Sequence, residues 1–173
     1  MLTIHSPTKQ PRLLILLAFV CALCMGAQRV TFAGDQIPFE ASYNNEIEAD
    51  FSGLPLVAVT STGSALVSHL GNVTTHSISE TVNLATGEGV AVHEFVAANG
   101  DTIQISFHFL AIPTSATSFS IEGVWQIIGG TGRFAGASGE GSYQGAAQFN
   151  SPTTASGEFE LVGTISSVGS AKR

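Results

Sequence analysis

Three side chains have the types and spacing for proton transfer: Glu94, His76 and Glu80. Glu94 sits in the run VAVHEFVA, on the alternating face that also carries Val90, Val92 and Val96. A carboxylate on so apolar a face is desolvated, which suits it to take up and return a proton. His76 and Glu80 belong to the preceding run, whose more apolar face reads Leu70, Asn72, Thr74, His76, Ile78, Glu80 and Val82. If the two runs pair through the turn at 84–87, His76 and Glu80 lie diagonally beside Glu94. A histidine between two carboxylates acts as an acid, a base or an oriented ion pair. Tyr43 and Asn45 add hydrogen-bonding groups from the first run. A buried structural network made of the same residues is the competing reading, since ion pairs serve stability as often as catalysis.

Other chemistries fail on inspection. The sequence has no G-x-S-x-G for a nucleophile elbow. The glycines from Gly129 to Gly136 lack the lysine and following helix of a phosphate loop. His93 and His108 fall on one expected outer face, without the third ligand a zinc site needs. No metal and no cofactor is therefore expected.

These groups must be positioned by strands. Period-two alternation runs through the chain after residue 33, broken by glycine, serine, threonine and asparagine, and no long stretch has helical periodicity. About eight strands are predicted, over 37–51, 55–62, 66–82, 89–97, 102–111, 117–128, 138–149 and 156–166. Asn99-Gly100 is a hairpin signal. A two-residue loop there sets His93 against Ser106 and Glu94 against Ile105. Val90, Val92, Glu94, Val96, Ile103, Ile105, Phe107 and Phe109 then face inward. Each remaining strand has one apolar and one polar face, and closing such strands into an antiparallel barrel removes exposed edges. The aromatic residues Phe107, Phe109 and Trp125 are core, and line a ligand cavity only if the barrel is not filled.

The first 33 residues read as an export signal: basic Lys9 and Arg12, an apolar run from Leu13 to Cys24, and small residues around Ala33. The apolar run is shorter than the ~20 residues of a comfortable membrane span. Both cysteines leave with it, so the domain at 34–173 has neither disulfide nor thiolate chemistry. Three bases, Arg133, Lys172 and Arg173, remain against 13 acids, a formal charge of −10. That balance excludes nucleic acid and anionic lipid as partners, because both require basic patches. The expected location is secreted or periplasmic, with no stable membrane span after cleavage.

The stretch GGTGRFAGASGEG (Gly129 to Gly141), entered by a strand ending IEGVWQI, resembles the glycine corner of the allene oxide cyclase barrel, a fold shared with the plant dirigent proteins. The run from Ala85 to Thr102 is similar to small secreted bacterial members of that superfamily. The resemblance implies a single all-β, closed antiparallel barrel of about eight strands. It also implies cofactor-free cyclisation or steering of apolar substrates inside the barrel, and dimers or trimers among relatives. The plant enzymes hold a glutamate and a water-binding asparagine in their cavity. In FEASYNNEIEAD the alternation turns Asn45 inward but Glu46 and Glu48 outward, so that activity does not transfer with the fold.

Two functions follow as expectations. The first is a barrel that binds a small apolar molecule, acting as a cyclase or isomerase, with Glu94 transferring the proton, His76 and Glu80 tuning it, and Tyr43, Asn45, Phe107, Phe109 and Trp125 around the substrate. It needs an interior pocket of roughly 300 Å³ or more. The second is a non-catalytic extracellular or periplasmic module with a packed interior.

Overall fold

The computed structural model describes residues 35–166. The signal-like segment and its boundary at residue 33 lie outside the described residues. Eight strands run up and down in sequence order: β1 Gln36–Asp50, β2 Leu56–Val67, β3 Gly71–Asn83, β4 Glu88–Ala97, β5 Thr102–Pro113, β6 Ser118–Gly130, β7 Gly139–Phe149 and β8 Thr154–Ser166. Each pairs antiparallel with its neighbour, and β1 closes on β8 from Gln36↔Ser166 to Glu48↔Thr154. The chain is a closed eight-stranded barrel, as the alternation predicts.

Inward side chains alternate with outward ones. Phe39, Tyr43, Phe95, Ile103, Ile105, Phe107, Trp125, Leu161 and Ile165 are at most 2 % exposed. Burial of each contributes roughly 1.5–3 kcal/mol. Rings this large fit because glycine stands beside them on neighbouring strands. A Cβ on Gly141 would lie 2.7 Å from the Gly163 Cα and 2.8 Å from the Trp125 Nε1, so the indole occupies space a side chain would need. The two ends of the barrel differ. At one end the short 3-10 turn Gly132–Phe134 buries Phe134, and Arg133 meets Asp101 at 3.5 Å. At the other end lie the connections 51–55, 84–87, 114–117 and 150–153, none of which contains a charged residue.

Three local features depart from the sequence expectation. The break placed between 62 and 66 is continuous strand, and the chain turns instead around His69 (φ 68°) and Gly71 (φ 79°). Gly63 lies within β2 because a side chain there would collide with the Asn44 carbonyl and the Asn45 amide oxygen. The β4–β5 loop has three residues, not two. The Ala97 N–H donates to the Asp101 carbonyl at 2.9 Å and Gly100 takes φ 85°, while Asn99 keeps negative φ and its Oδ1 accepts the Asp101 N–H at 3.1 Å. Pairing therefore runs His93↔Ile105 and Glu94↔Gln104, one residue away from the two-residue register. In β3, the pairs Ser77↔His93 and Ser79↔Val92 leave Ile78 as an extra residue, a bulge that expels its side chain to 53 % exposure.

Candidate functional site

The one-residue shift in the β4–β5 loop exchanges the faces of β4. Ala91, His93, Phe95 and Ala97 are buried, and Glu94 with its valine neighbours turns outward. The β3 bulge then splits the face expected for that strand. Before Ile78, the even-numbered Asn72, Thr74 and His76 point out, and Val73 and Thr75 point in. After it, Glu80 and Val82 point in, where both line the barrel cavity. The trio of Glu94, His76 and Glu80 is accordingly divided by the wall. Outside, His76 Nε2 stands 3.7 Å from Glu94 Oε2, and Gln104 Nε2 donates to Glu94 Oε1 at 3.0 Å. The inward placement of Glu94 and His76 is overturned. So is the shared outer face of His93 and His108, because His93 is 3 % exposed inside and His108 lies outside.

Inside, Glu80 meets a partner that sequence reasoning missed. His93 Nε2 lies 3.0 Å from Glu80 Oε2, with side chains 4 % and 13 % exposed. The Ser61 hydroxyl donates to the same oxygen at 3.3 Å, and Asn45 Nδ2 donates to Ser61 Oγ at 3.3 Å. Four strands, β1 to β4, thus each contribute one group to a polar chain across the interior. A buried carboxylate held by two donors is fixed in orientation. The Tyr43 ring stacks edge-on against Phe95 and faces His93 at 6.4 Å between centroids. Burial, then the Tyr143 phenol and more weakly the Glu80 carboxylate, push the Tyr43 hydroxyl well above its usual range. Burial does the same to Tyr143. The His93 Nδ1, Tyr43 Oη, Asn45 Oδ1 and Thr75 Oγ1 are buried without a hydrogen-bond partner, unusual enough to mark this band as more than packing.

Next to the polar chain is a cavity of about 160 Å³, at the end of the barrel whose connecting loops carry no charge. Its wall is apolar: Ile47, Val57, Val59, Val82, Ile121 and a set of aromatic rings, with Glu80 the charged residue among them. The volume is well under the roughly 300 Å³ set out from the sequence for a drug-sized site. Phe109 lines it, whereas Tyr43, Asn45, Phe107 and Trp125 are packed elsewhere in the interior, so only one of the five expected substrate contacts reaches this cavity. A larger depression of about 740 Å³ on the polar outer wall includes neither Glu80 nor His93. Among the described residues, no three His, Cys, Asp or Glu side chains gather as a metal site.

His93 was hidden because β4 is apolar on both faces, and only the loop length chooses between them. Its signal lay in β5, where Ile103, Ile105, Phe107 and Phe109 mark one inward face whose partners must follow it.

No family model and no curated protein matches the chain. Among solved structures it is similar to a pterocarpan synthase dirigent protein, at 15 % identity and a TM-score of 0.45, over 83 % of this chain and 96 % of that one. The likeness concerns fold alone, and the closed barrel stands on its own hydrogen-bond ladder.

Proposed function

We propose that this chain is an exported barrel that binds one small apolar molecule in the cavity beside Glu80. The observation that carries the reading is an apolar pocket, open at the end whose connecting loops carry no charge, with a single oriented carboxylate in its lining. Sites for small ligands have this composition: hydrophobic walls and few polar groups. An apolar cavity of ~150 Å³ holds a molecule the size of benzene, so the ligand is one ring or a short branched chain. The export signal read from the first 33 residues supports a location outside the cytoplasm.

A second reading, the cofactor-free cyclase or isomerase, is favoured by the His93–Glu80 contact. The carboxylate takes a proton from one carbon of the bound molecule and returns it to another, with His93 Nε2 and Ser61 holding Oε2 throughout. No oxidant or cofactor enters that balance.

The test is a titration of the barrel with toluene, followed by amide NMR shifts. Perturbations should cluster at Val59, Phe119, Ala147 and Phe149, and Ala147→Phe should abolish them by filling the space. If neither toluene nor a ring of the same size bearing one polar group moves these amides, the ligand reading falls and the packed, non-catalytic module takes its place. Native mass spectrometry of protein from its host would supply the retained molecule. Glu80→Gln should then remove any turnover of it.

A further inference from the structure

The aromatic residues of the cavity form two groups. Phe109, Tyr143 and Phe159 lie deep, with Tyr143 and Phe159 stacked at 5.6 Å and Phe109 edge-on to Tyr143 at 5.9 Å. Phe51, Phe119 and Phe149 ring the mouth, with Phe149 6.2 Å from Phe51 and 6.0 Å from Phe119. All six rings line the same space as Glu80. Ring faces carry negative potential, and aromatic walls around a carboxylate are how proteins hold ammonium groups. Both hydrogen bonds from His93 and Ser61 fall on Glu80 Oε2, and Oε1 takes neither.

The wider field agrees. Residues 35–166 contain 13 acids and one base, and that base, Arg133, is at the opposite end beside Asp101. Glu48, Asp50 and Glu88 lie on the strand ends nearest the mouth. A low-dielectric cleft in so acidic a molecule concentrates cations and repels anions.

We infer that the cavity takes a small organic cation: a hydrophobic amine, its ammonium against Glu80 and its body among the six rings. The inference rests on the ligand-binding reading of the same cavity and adds the charge of the ligand. It excludes carboxylic acids of the same size, which would bring a second negative charge to Glu80.

Four probes of nearly equal shape test it by calorimetry or NMR on the full barrel: benzylamine, benzyl alcohol, toluene and benzoate. Benzylamine should bind about tenfold or more tighter than benzyl alcohol, and benzoate should not bind. In Glu80→Gln the advantage of the amine should shrink to about twofold or less, with toluene unchanged. Phe119→Leu, at the mouth and away from the ammonium, should weaken benzylamine and toluene by similar factors. The ranking in the unmodified protein decides the matter even if Glu80→Gln does not fold. Toluene or benzyl alcohol binding as tightly as benzylamine would overturn the cation assignment and leave the apolar-ligand reading standing. If none of the four binds, both fall.

Discussion

Glu80 and His93 pair in the interior, where their side chains are 13 % and 4 % exposed. Ser61 completes the carboxylate's contacts, and Asn45 in turn holds Ser61. Removing one member leaves the other buried and unpaired, which is the costly way to break a polar contact. His93→Ala should therefore destabilise the barrel by about 2–4 kcal/mol, combining the lost ring with the stranded carboxylate. His76→Ala removes a histidine from the outer pair with Glu94, where the His76 side chain is 46 % exposed, and should cost no more than about 0.5 kcal/mol. Denaturant midpoints of the two variants check the contrast. Equal effects would mean that the interior pair is not what holds this band together.

At the scale of elements, two small irregularities decide what the interior contains. The three-residue β4–β5 loop turns His93 in, and the Ile78 bulge keeps Glu80 and Val82 in while Asn72, Thr74 and His76 turn out. The bulge side chain itself stands in solvent, so Ile78→Asp should change stability by less than about 0.5 kcal/mol. Deleting Ile78 closes the bulge and leaves the flanking pairs Ser77↔His93 and Ser79↔Val92 in regular alternation, so Glu80 and Val82 stay inward. That deletion should therefore move the thermal midpoint by no more than the few degrees that ~1 kcal/mol represents. A sharp fall in the midpoint would show that the barrel needs the local twist of the bulge as well as the register on either side of it.

As a whole molecule, the barrel is a closed ring of strands around one core, acidic outside and sealed at one end by Phe134. The chain has two tyrosines, and both are inside it. Each has its ionisation raised above the usual 10.0 by burial first. The sign follows: below pH 10 neither folded nor unfolded phenol is ionised and stability is unaffected, whereas above it only the unfolded chain gains tyrosinate. Stability should thus be lost progressively as pH rises past about 10, toward the raised folded values. Tyrosinate absorbance should appear together with loss of the strand circular-dichroism signal, as one transition. Tyrosinate forming while the sheet signal persists would place a phenol in contact with solvent.

The alternation of β1, of β5 to β8 and the glycine corner sufficed to read the architecture, because a two-residue period with one apolar face has a single way to bury it. Tyr43, Asn45, Phe107, Phe109 and Trp125 were legible as interior for that reason. The acid–base pair was only half legible: Glu80 was assigned inward and is inward, but His93 was exchanged for Glu94. In β3 and β4 apolar residues occur on both faces, so local pattern leaves the choice of face nearly free. One residue more in a loop or a bulge moves every following side chain across the wall, and the energy that selects it comes from the partner strands. Only the assembled barrel, with the inward faces of β2 and β5 already committed, could decide that His93 and Glu80 meet inside while His76 and Glu94 meet in water.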